Sequence, residues 1–383
     1  MKKAWTAAVL AVTIGLAGAA TLTKAGEVKF LDVNGHWAKS GIEQAVQKGY
    51  VDGYEDGTFR PDRNVSRAEF LKQAVTALKL EVAGAGSGND WYVPYVNAAV
   101  NAGIHRYEDF TTGDWNTAIT REEMARIAVR ASGEKTDDDK KWLYLAAQSG
   151  LIQGLAGGAL GETEATTRAQ SVTVIERILT VKGGGKLEVD KYAVANAELF
   201  WHKTNIFTVM PEFTQKQHPA HPWDPNNLFV ATPDGKYRGE LEALIAIDLA
   251  DPNDPHLGEL PELRWYNGLD KGFPIEDYKD SYLVWFKGRT VFNTDHEIYQ
   301  DWKILPSTII GYIGPDFQDF SEGNLNTIAN VYHKKLGDFA GFIVPKKGLE
   351  TMGFISFDIY SPSIVPNPNY SKSLLQVTVP EAM

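Results

Sequence analysis

Three arginines stand where charge chemistry could be done. Arg67, Arg121 and Arg168 each follow a hydroxyl residue and precede Glu or Gln by two places, in Ser66-Arg67-Ala68-Glu69, Thr120-Arg121-Glu122-Glu123 and Thr167-Arg168-Ala169-Gln170. A hydroxyl followed three residues later by Glu or Gln is a capping box, in which each side chain bonds the other residue's backbone N–H. Arginine is out of place there. The N-terminal end of a helix is positive, and a cation in the first turn costs a few tenths of a kcal/mol, about 0.3, rather than stabilising it. One mismatch means little, but three at equivalent positions need a cause. Each guanidinium either pairs with a carboxylate of a neighbouring unit or joins free helix N–H groups in an anion site. Recurrence in three copies favours the anion site.

The elements that would position these arginines are helices. Each box opens a helix-period apolar run: Phe70, Leu71, Ala74, Val75 and Leu78; Met124, Ile127 and Ala128; Val172, Val174, Ile175, Ile178 and Leu179. The arginines lie 121 − 67 = 54 and 168 − 121 = 47 residues apart, a period that signals a repeat architecture. Each unit repeats one grammar of first helix, glycine stop, loop and capped second helix. The first helices are expected over 37–48 before Gly49, around Pro94 before Gly103, and over 142–149 before Gly150. Trp37, Trp91 and Trp142 open or precede them, and core packing is expected for most of the surface of these rings. Flexible linkers at 83–88 and 133–139 separate the units. Asp137-Asp138-Asp139 reads as a solvated helix start, since no calcium-loop spacing follows.

Phe30-Leu31-Asp32-Val33, His36-Trp37-Ala38, Gly49-Tyr50-Val51-Asp52-Gly53-Tyr54, Asp56-Gly57-Thr58-Phe59-Arg60-Pro61 and Ser66-Arg67-Ala68-Glu69-Phe70 together resemble, almost element by element, the S-layer homology (SLH) repeat. The other two units resemble it more loosely, through Tyr95-Val96, Ala102-Gly103-Ile104 and Ile119 to Met124, and through Gly150-Leu151-Ile152-Gln153-Gly154 and Thr167 to Gln170. The resemblance covers residues 28–182. It implies an all-α pseudo-threefold module with a three-helix-bundle core and ligand grooves between repeats. It also implies non-catalytic binding of a secondary cell-wall polymer attached to peptidoglycan, an anionic polysaccharide commonly carrying pyruvate ketals. By motif position, Arg67, Arg121 and Arg168 become carboxylate binders. Trp37, Asp32, Gly53 and Gly57 become groove residues, the glycines letting a sugar approach the backbone. The second unit replaces the Asp-Gly-Thr-Phe-x-Pro loop with residues 107–116, and the third with Gly154-Leu155-Ala156-Gly157-Gly158. The groove lined by the first repeat is therefore the one expected to work, and Arg67→Ala is expected to weaken wall binding with its helix start intact.

Composition sets the address. The chain has 383 residues, enough for two or three domains, and a net charge of −11 that argues against a nucleic-acid partner. It has no cysteine, which excludes disulfides, thiol catalysis and cysteine-ligated zinc. Met1-Lys2-Lys3 followed by an apolar, small-residue stretch over 4–20 reads as a secretory signal, with cleavage-like Ala17-Gly18-Ala19 and Thr23-Lys24-Ala25. The expected domains are a signal peptide at 1–25, repeats at 27–82, 89–132 and 137–182, and a β-rich, sandwich-like domain at 187–383.

No transmembrane anchor is expected. The last domain shows short apolar runs broken by Pro, Asn, Asp and Gly, with helices expected near 241–249 and 325–334. His218 and His221 sit in a proline-rich loop with no third ligand placed by spacing, and no catalytic motif stands out, so neither metal nor cofactor is expected. Trp223, Trp265, Tyr266 and Trp285 read as sandwich core rather than as a glycan or partner surface. The reading is a secreted, non-enzymatic wall-anchoring protein at the cell surface. Two alternatives stand beside it: a wall-anchored hydrolase with its active site in 187–383, and an S-layer lattice protein that self-associates.

Overall fold

The computed structural model describes residues 30–110, 114–259, 262–268, 272–333 and 337–383. The expected signal peptide lies outside the described residues. Among those residues no helix is long and apolar enough to cross a membrane.

Helices fill the N-terminal part. The first helices of the three units are α1 (Lys39–Gln47), α3 (Val93–Asn101) and α5 (Trp142–Gln148), and the second helices are α2 (Arg67–Ala77), α4 (Arg121–Ser132) and α6 (Arg168–Lys182). Gly49, Gly103 and Gly150 follow the first helices at φ of +76°, +71° and +72°, which only glycine adopts without strain. All three capping boxes form, with Ser66, Thr120 and Thr167 accepting from the N–H of Glu69, Glu123 and Gln170.

The units close on one another through the backbone. Val65 N–H donates to Thr166 O (2.9 Å), Thr166 N–H to Ile119 O (2.9 Å) and Ile119 N–H to Val65 O (3.0 Å), a ring of three bonds among the residues just before the caps. The first amides of each second helix go to the next unit's loop. Arg67 and Ala68 donate to Thr117 and Trp115, Arg121 and Glu122 to Glu164 and Glu162, and Arg168 and Ala169 to Arg63 and Pro61. The expectation of free helix N–H groups is therefore corrected: neighbouring carbonyls satisfy them, as buried backbone donors require. One apolar core runs through all three units, built from Ile42, Phe70, Leu71, Met124, Ile127, Trp142 and Ile175 among others.

The chain then becomes β-rich with antiparallel sheets. Strands β1 (Phe229–Ala231), β2 (Tyr237–Asp248), β3 (Leu263–Trp265), β4 (Phe273–Pro274), β5 (Ser281–Asn293), β7 (Ala329–His333) and β8 (Gly337–Pro345) form one sheet in the order β1-β2-β5-β8-β7-β3-β4. Strands β6 (Ser307–Tyr312), β9 (Thr351–Tyr360) and β10 (Ser371–Thr378) form a second in the order β10-β9-β6. Leu244, Val284, Phe286 and Phe342 of the first sheet share a core with Ile309, Phe357, Ile359 and Leu375 of the second.

Both helices expected in this half are corrected. Residues 241–249 lie almost entirely within β2, and 325–334 contain β7. Strand β2 is buried on both faces from Ala243 to Asp248, so its sequence is a continuous apolar run, which periodicity cannot tell from a buried helix. In the other direction, α7 (Lys191–His202) is a helix within a stretch read as strands. Its Ala193, Val194 and Ala197 belong to the core of the helical units, while Ala195 joins the core between the sheets. Short helices α8 (Ile206–Val209), α9 (Pro211–Thr214) and α10 (Phe317–Ser321) complete the chain.

Candidate functional site: grooves between the helical units

Each of the three arginines reaches into the neighbouring unit, but they meet different partners. Arg121 donates from Nε to Leu160 O (2.7 Å) and from Nη2 to Gln153 O (2.9 Å). Arg168 does the same to Phe59 O (2.9 Å) and Asp52 O (2.9 Å). Both are buried, and neither has an ion-pair partner among the described residues. Arg67 instead meets a carboxylate, donating from Nε to Glu123 Oε2 at 3.2 Å and from Nη2 to Glu123 Oε1. Its guanidinium also lies 4.5 Å from the centre of the Phe110 ring.

The cap residue of the next unit explains the difference. Glu123 holds the third position of its helix and faces Arg67. The residue in that position beside Arg121 is Gln170, which carries no charge, and beside Arg168 it is Glu69, which turns to Arg63 at 2.9 Å. Burial depresses the pKa of Arg121, with the charge of Glu164 opposing and that of Arg177 adding to it; burial does the same to Arg168. A desolvated guanidinium without an ion-pair partner is stabilised by any anion that can reach it.

Grooves open beside these two arginines. One, of about 200 Å³, is bounded by Trp37 of the first unit, Arg121 of the second, and Gln153, Gly154, Gln170 and Arg177 of the third. Trp37 is 66% exposed, against the expectation of core packing, and presents a ring face at the rim. Arg177, also depressed by burial, donates from Nη2 to Gln153 Oε1 (2.9 Å) and lacks an ion-pair partner among the described residues. The groove thus brings together two cations with no paired acid.

The other groove, of about 520 Å³, is walled by Trp91 and Tyr95 and contains Arg168, Asp52, Glu69, Lys72 and Thr76. Lys72 Nζ lies 5.7 Å and 5.8 Å from the centres of the two rings. Lys72, Tyr95 and Arg177 were missed in the sequence. The signal for Tyr95 was its place one turn after Trp91, the ring that precedes the first helix of its unit.

The remaining named residues hold the first loop in shape. Asp32 accepts from the N–H of Phe59 (2.8 Å) and Arg60 (2.7 Å). Gly57 turns the chain at φ +76°, and a Cβ on Gly53 would lie 2.1 Å from Phe30 Cε1. The space at Gly53 is thus taken by Phe30, whose ring packs 5.4 Å from Phe59. These residues set the carbonyls of Asp52 and Phe59 that hold Arg168.

The S-layer homology domain matches residues 29–71, so the chain carries such a domain in its first unit. It is similar to an amylopullulanase of Thermoanaerobacterium thermosulfurigenes, 31% identical over 180 residues, which are 40% of this chain and 10% of that protein. A surface-layer 125 kDa protein of Lysinibacillus sphaericus is 27% identical over 210 residues, 49% of this chain and 18% of the other. A cellulosome-anchoring protein of Acetivibrio thermocellus is 55% identical over 38 residues, 10% of this chain and 8% of its own. The chain thus spans less than a fifth of the length of these curated relatives. The matches run through the shared domain, which is itself non-catalytic, and leave the enzymes' catalytic regions unmatched.

Proposed function

We propose that the helical units hold this protein at the bacterial cell surface by gripping an anionic secondary cell-wall polysaccharide, its acidic groups being pyruvate ketals. The single observation that carries the reading is that Arg121, buried, and Arg177, half-buried, line one groove with the exposed ring of Trp37 and have no carboxylate partner among the described residues. A ketal carboxylate satisfies a guanidinium through two parallel hydrogen bonds, and an indole face covers the apolar side of the attached sugar. The groove at Trp91, Tyr95, Lys72 and Arg168 takes a second residue of the same polymer. Arg67, neutralised by Glu123, ties the units together. The three second helices form the central bundle on which these grooves are built. The protein is exported by its N-terminal signal, and the β-rich domain, anchored through α7, is displayed outward without catalysing a reaction.

The test is binding of the full chain to purified wall sacculi, before and after the secondary polymer is stripped by acid. Binding that survives stripping overturns the reading. Binding that disappears, and that weakens as salt is raised from 0.05 to 0.5 M, supports it.

A further inference from the structure

The β-rich domain carries a cleft of about 490 Å³ between its two sheets. One wall comes from the three-stranded sheet and the loop before it, with Trp302, Ser307 at the start of β6 and Tyr360 at the end of β9. Tyr360 N–H donates to Pro306 O at 3.0 Å, which fixes that corner. The other wall comes from the large sheet, with Tyr266 just after β3, Asn330 in β7 and Phe339 in β8. Tyr266 N–H donates to Asn330 O at 2.8 Å, so these two move as one body.

Three features of this cleft point to one kind of ligand. Two large rings face outward where a core would hide them: Tyr266 is 51% and Trp302 is 38% exposed. The indole of Trp302 is held by a hydrogen bond from Nε1 to Gln300 Oε1 at 2.5 Å, so its ring is fixed rather than loose. The side-chain polar groups of Tyr266, Ser307, Asn330 and Tyr360 all border the cleft, and none has a partner among the described residues. Finally, no Asp, Glu, Lys or Arg lines the cleft among the described residues, in a chain of which 23% is charged.

We infer that this cleft binds a neutral polysaccharide chain. Rings set at the rim cover the apolar faces of pyranoses, while hydroxyls and an amide in the wall exchange hydrogen bonds with sugar hydroxyls. With no charge among its described lining residues, the cleft offers less to an acidic sugar than the grooves at Arg121 and Arg168 do. The size is within the range of small-molecule sites. An extended peptide pairing with β6 is the competing occupant. It would use backbone groups of the strand and would leave the four unpartnered side chains unexplained.

The experiment is calorimetric titration of the full chain with soluble neutral oligomers of N-acetylglucosamine, of glucose and of xylose, in low and high salt. The expected result is saturable binding to at least one oligomer, unchanged by salt, and weakened about tenfold or more by Trp302→Ala combined with Tyr266→Ala. Both rings are surface-exposed, so the double variant keeps the parent's melting temperature. Arg177→Gln leaves this binding unchanged. No saturable binding to any oligomer overturns the inference. So does binding that the double variant retains, or binding that salt abolishes.

Discussion

The guanidinium of Arg130 lies 4.7 Å from the centre of the Trp142 ring, across the junction between the second and third units. Counted from the helix starts, Arg130 holds the position that Thr76 holds in the first unit and Arg177 in the third. The surroundings of this one position differ from junction to junction. Thr76 borders a groove of about 520 Å³ and Arg177 one of about 200 Å³. At the third junction Arg130 covers Trp142, which is only 2% exposed, and is tied to Asp109. Burial raises the Asp109 carboxyl, but the His105 ring at 3.2 Å together with hydrogen bonds from Arg130 and the Arg106 N–H outweighs it and holds the carboxyl well below the usual range. A cleft of about 640 Å³ also borders Arg130 and Trp142 at that junction.

Thr76→Arg should obstruct the groove at Trp91 by placing a long cationic side chain at its edge. Thr76 is half-buried at the groove edge, so the fold should be kept, with a melting temperature within a few degrees of the parent. If the polymer engages two grooves at once, losing one should lower the avidity for wall sacculi about tenfold or more. A pull-down titration against sacculi reads this directly. Unchanged affinity would mean that the Trp91 groove takes no part in wall binding.

Arg177 and Arg67 should separate by assay. Arg177→Gln removes an unpaired groove cation and should cost about 10- to 100-fold in sacculus affinity, the worth of a charge-assisted hydrogen bond, with little loss of stability. Arg67→Gln should do the reverse. It leaves Glu123 without its cation and should cost about 3 kcal/mol in urea unfolding, while the folded protein still binds the wall. This reverses the sequence-based expectation for Arg67. A wall-binding loss with unchanged stability in the Arg67 variant would restore that expectation.

The helical half was legible in the sequence because its signals are local. A capping box, a glycine stop and a turn each lie within a few residues, and three copies made each more certain than it would be alone. The identities of the arginine partners were not legible, because they depend on which residue of the next unit faces each one across 32 to 116 residues of chain. In the β-rich half, β2 looked helical because both its faces are buried, and the apolar run Ala193 to Leu199 of α7 carried no repeat to flag it. The cleft at Trp302 and Tyr266 unites residues from β3, the β5–β6 loop and β7, so no window of sequence could have contained it.

Gly53→Ala tests why the first loop has the composition it does. The added methyl would lie 2.1 Å from Phe30 Cε1, closer than any carbon contact allows, and Phe30 must move off Phe59 to admit it. The expected cost is about 1–3 kcal/mol, that of overpacking, read as a lower urea midpoint with an unchanged slope. The pair Gly53→Ala with Phe30→Leu should recover part of it. If Gly53→Ala abolishes wall binding but leaves stability untouched, the glycine serves the ligand and not the ring.

The last prediction concerns Glu198, which lies on α7 where the helical units meet the β-rich domain. Its side chain is buried, accepting from Phe207 N–H at 3.2 Å and from the Thr208 hydroxyl. Burial pushes its pKa up to about 7 from an ordinary 4.5, despite these hydrogen bonds. An acid whose folded pKa is raised binds its proton more tightly in the native state than in the unfolded one. Stability is therefore highest below about pH 4.5 as far as this group is concerned, falls as pH rises toward 7, and is level above that. The full fall is roughly 3 kcal/mol, 1.36 for each pKa unit. Glu198→Gln keeps an acceptor and removes the charge. Relative to the parent, it should gain stability progressively across this window and hold the whole gain at pH 8, measured by chemical unfolding at matched ionic strength. A Glu198→Gln difference that is the same at every pH would show that the carboxyl titrates alike in the folded and unfolded protein.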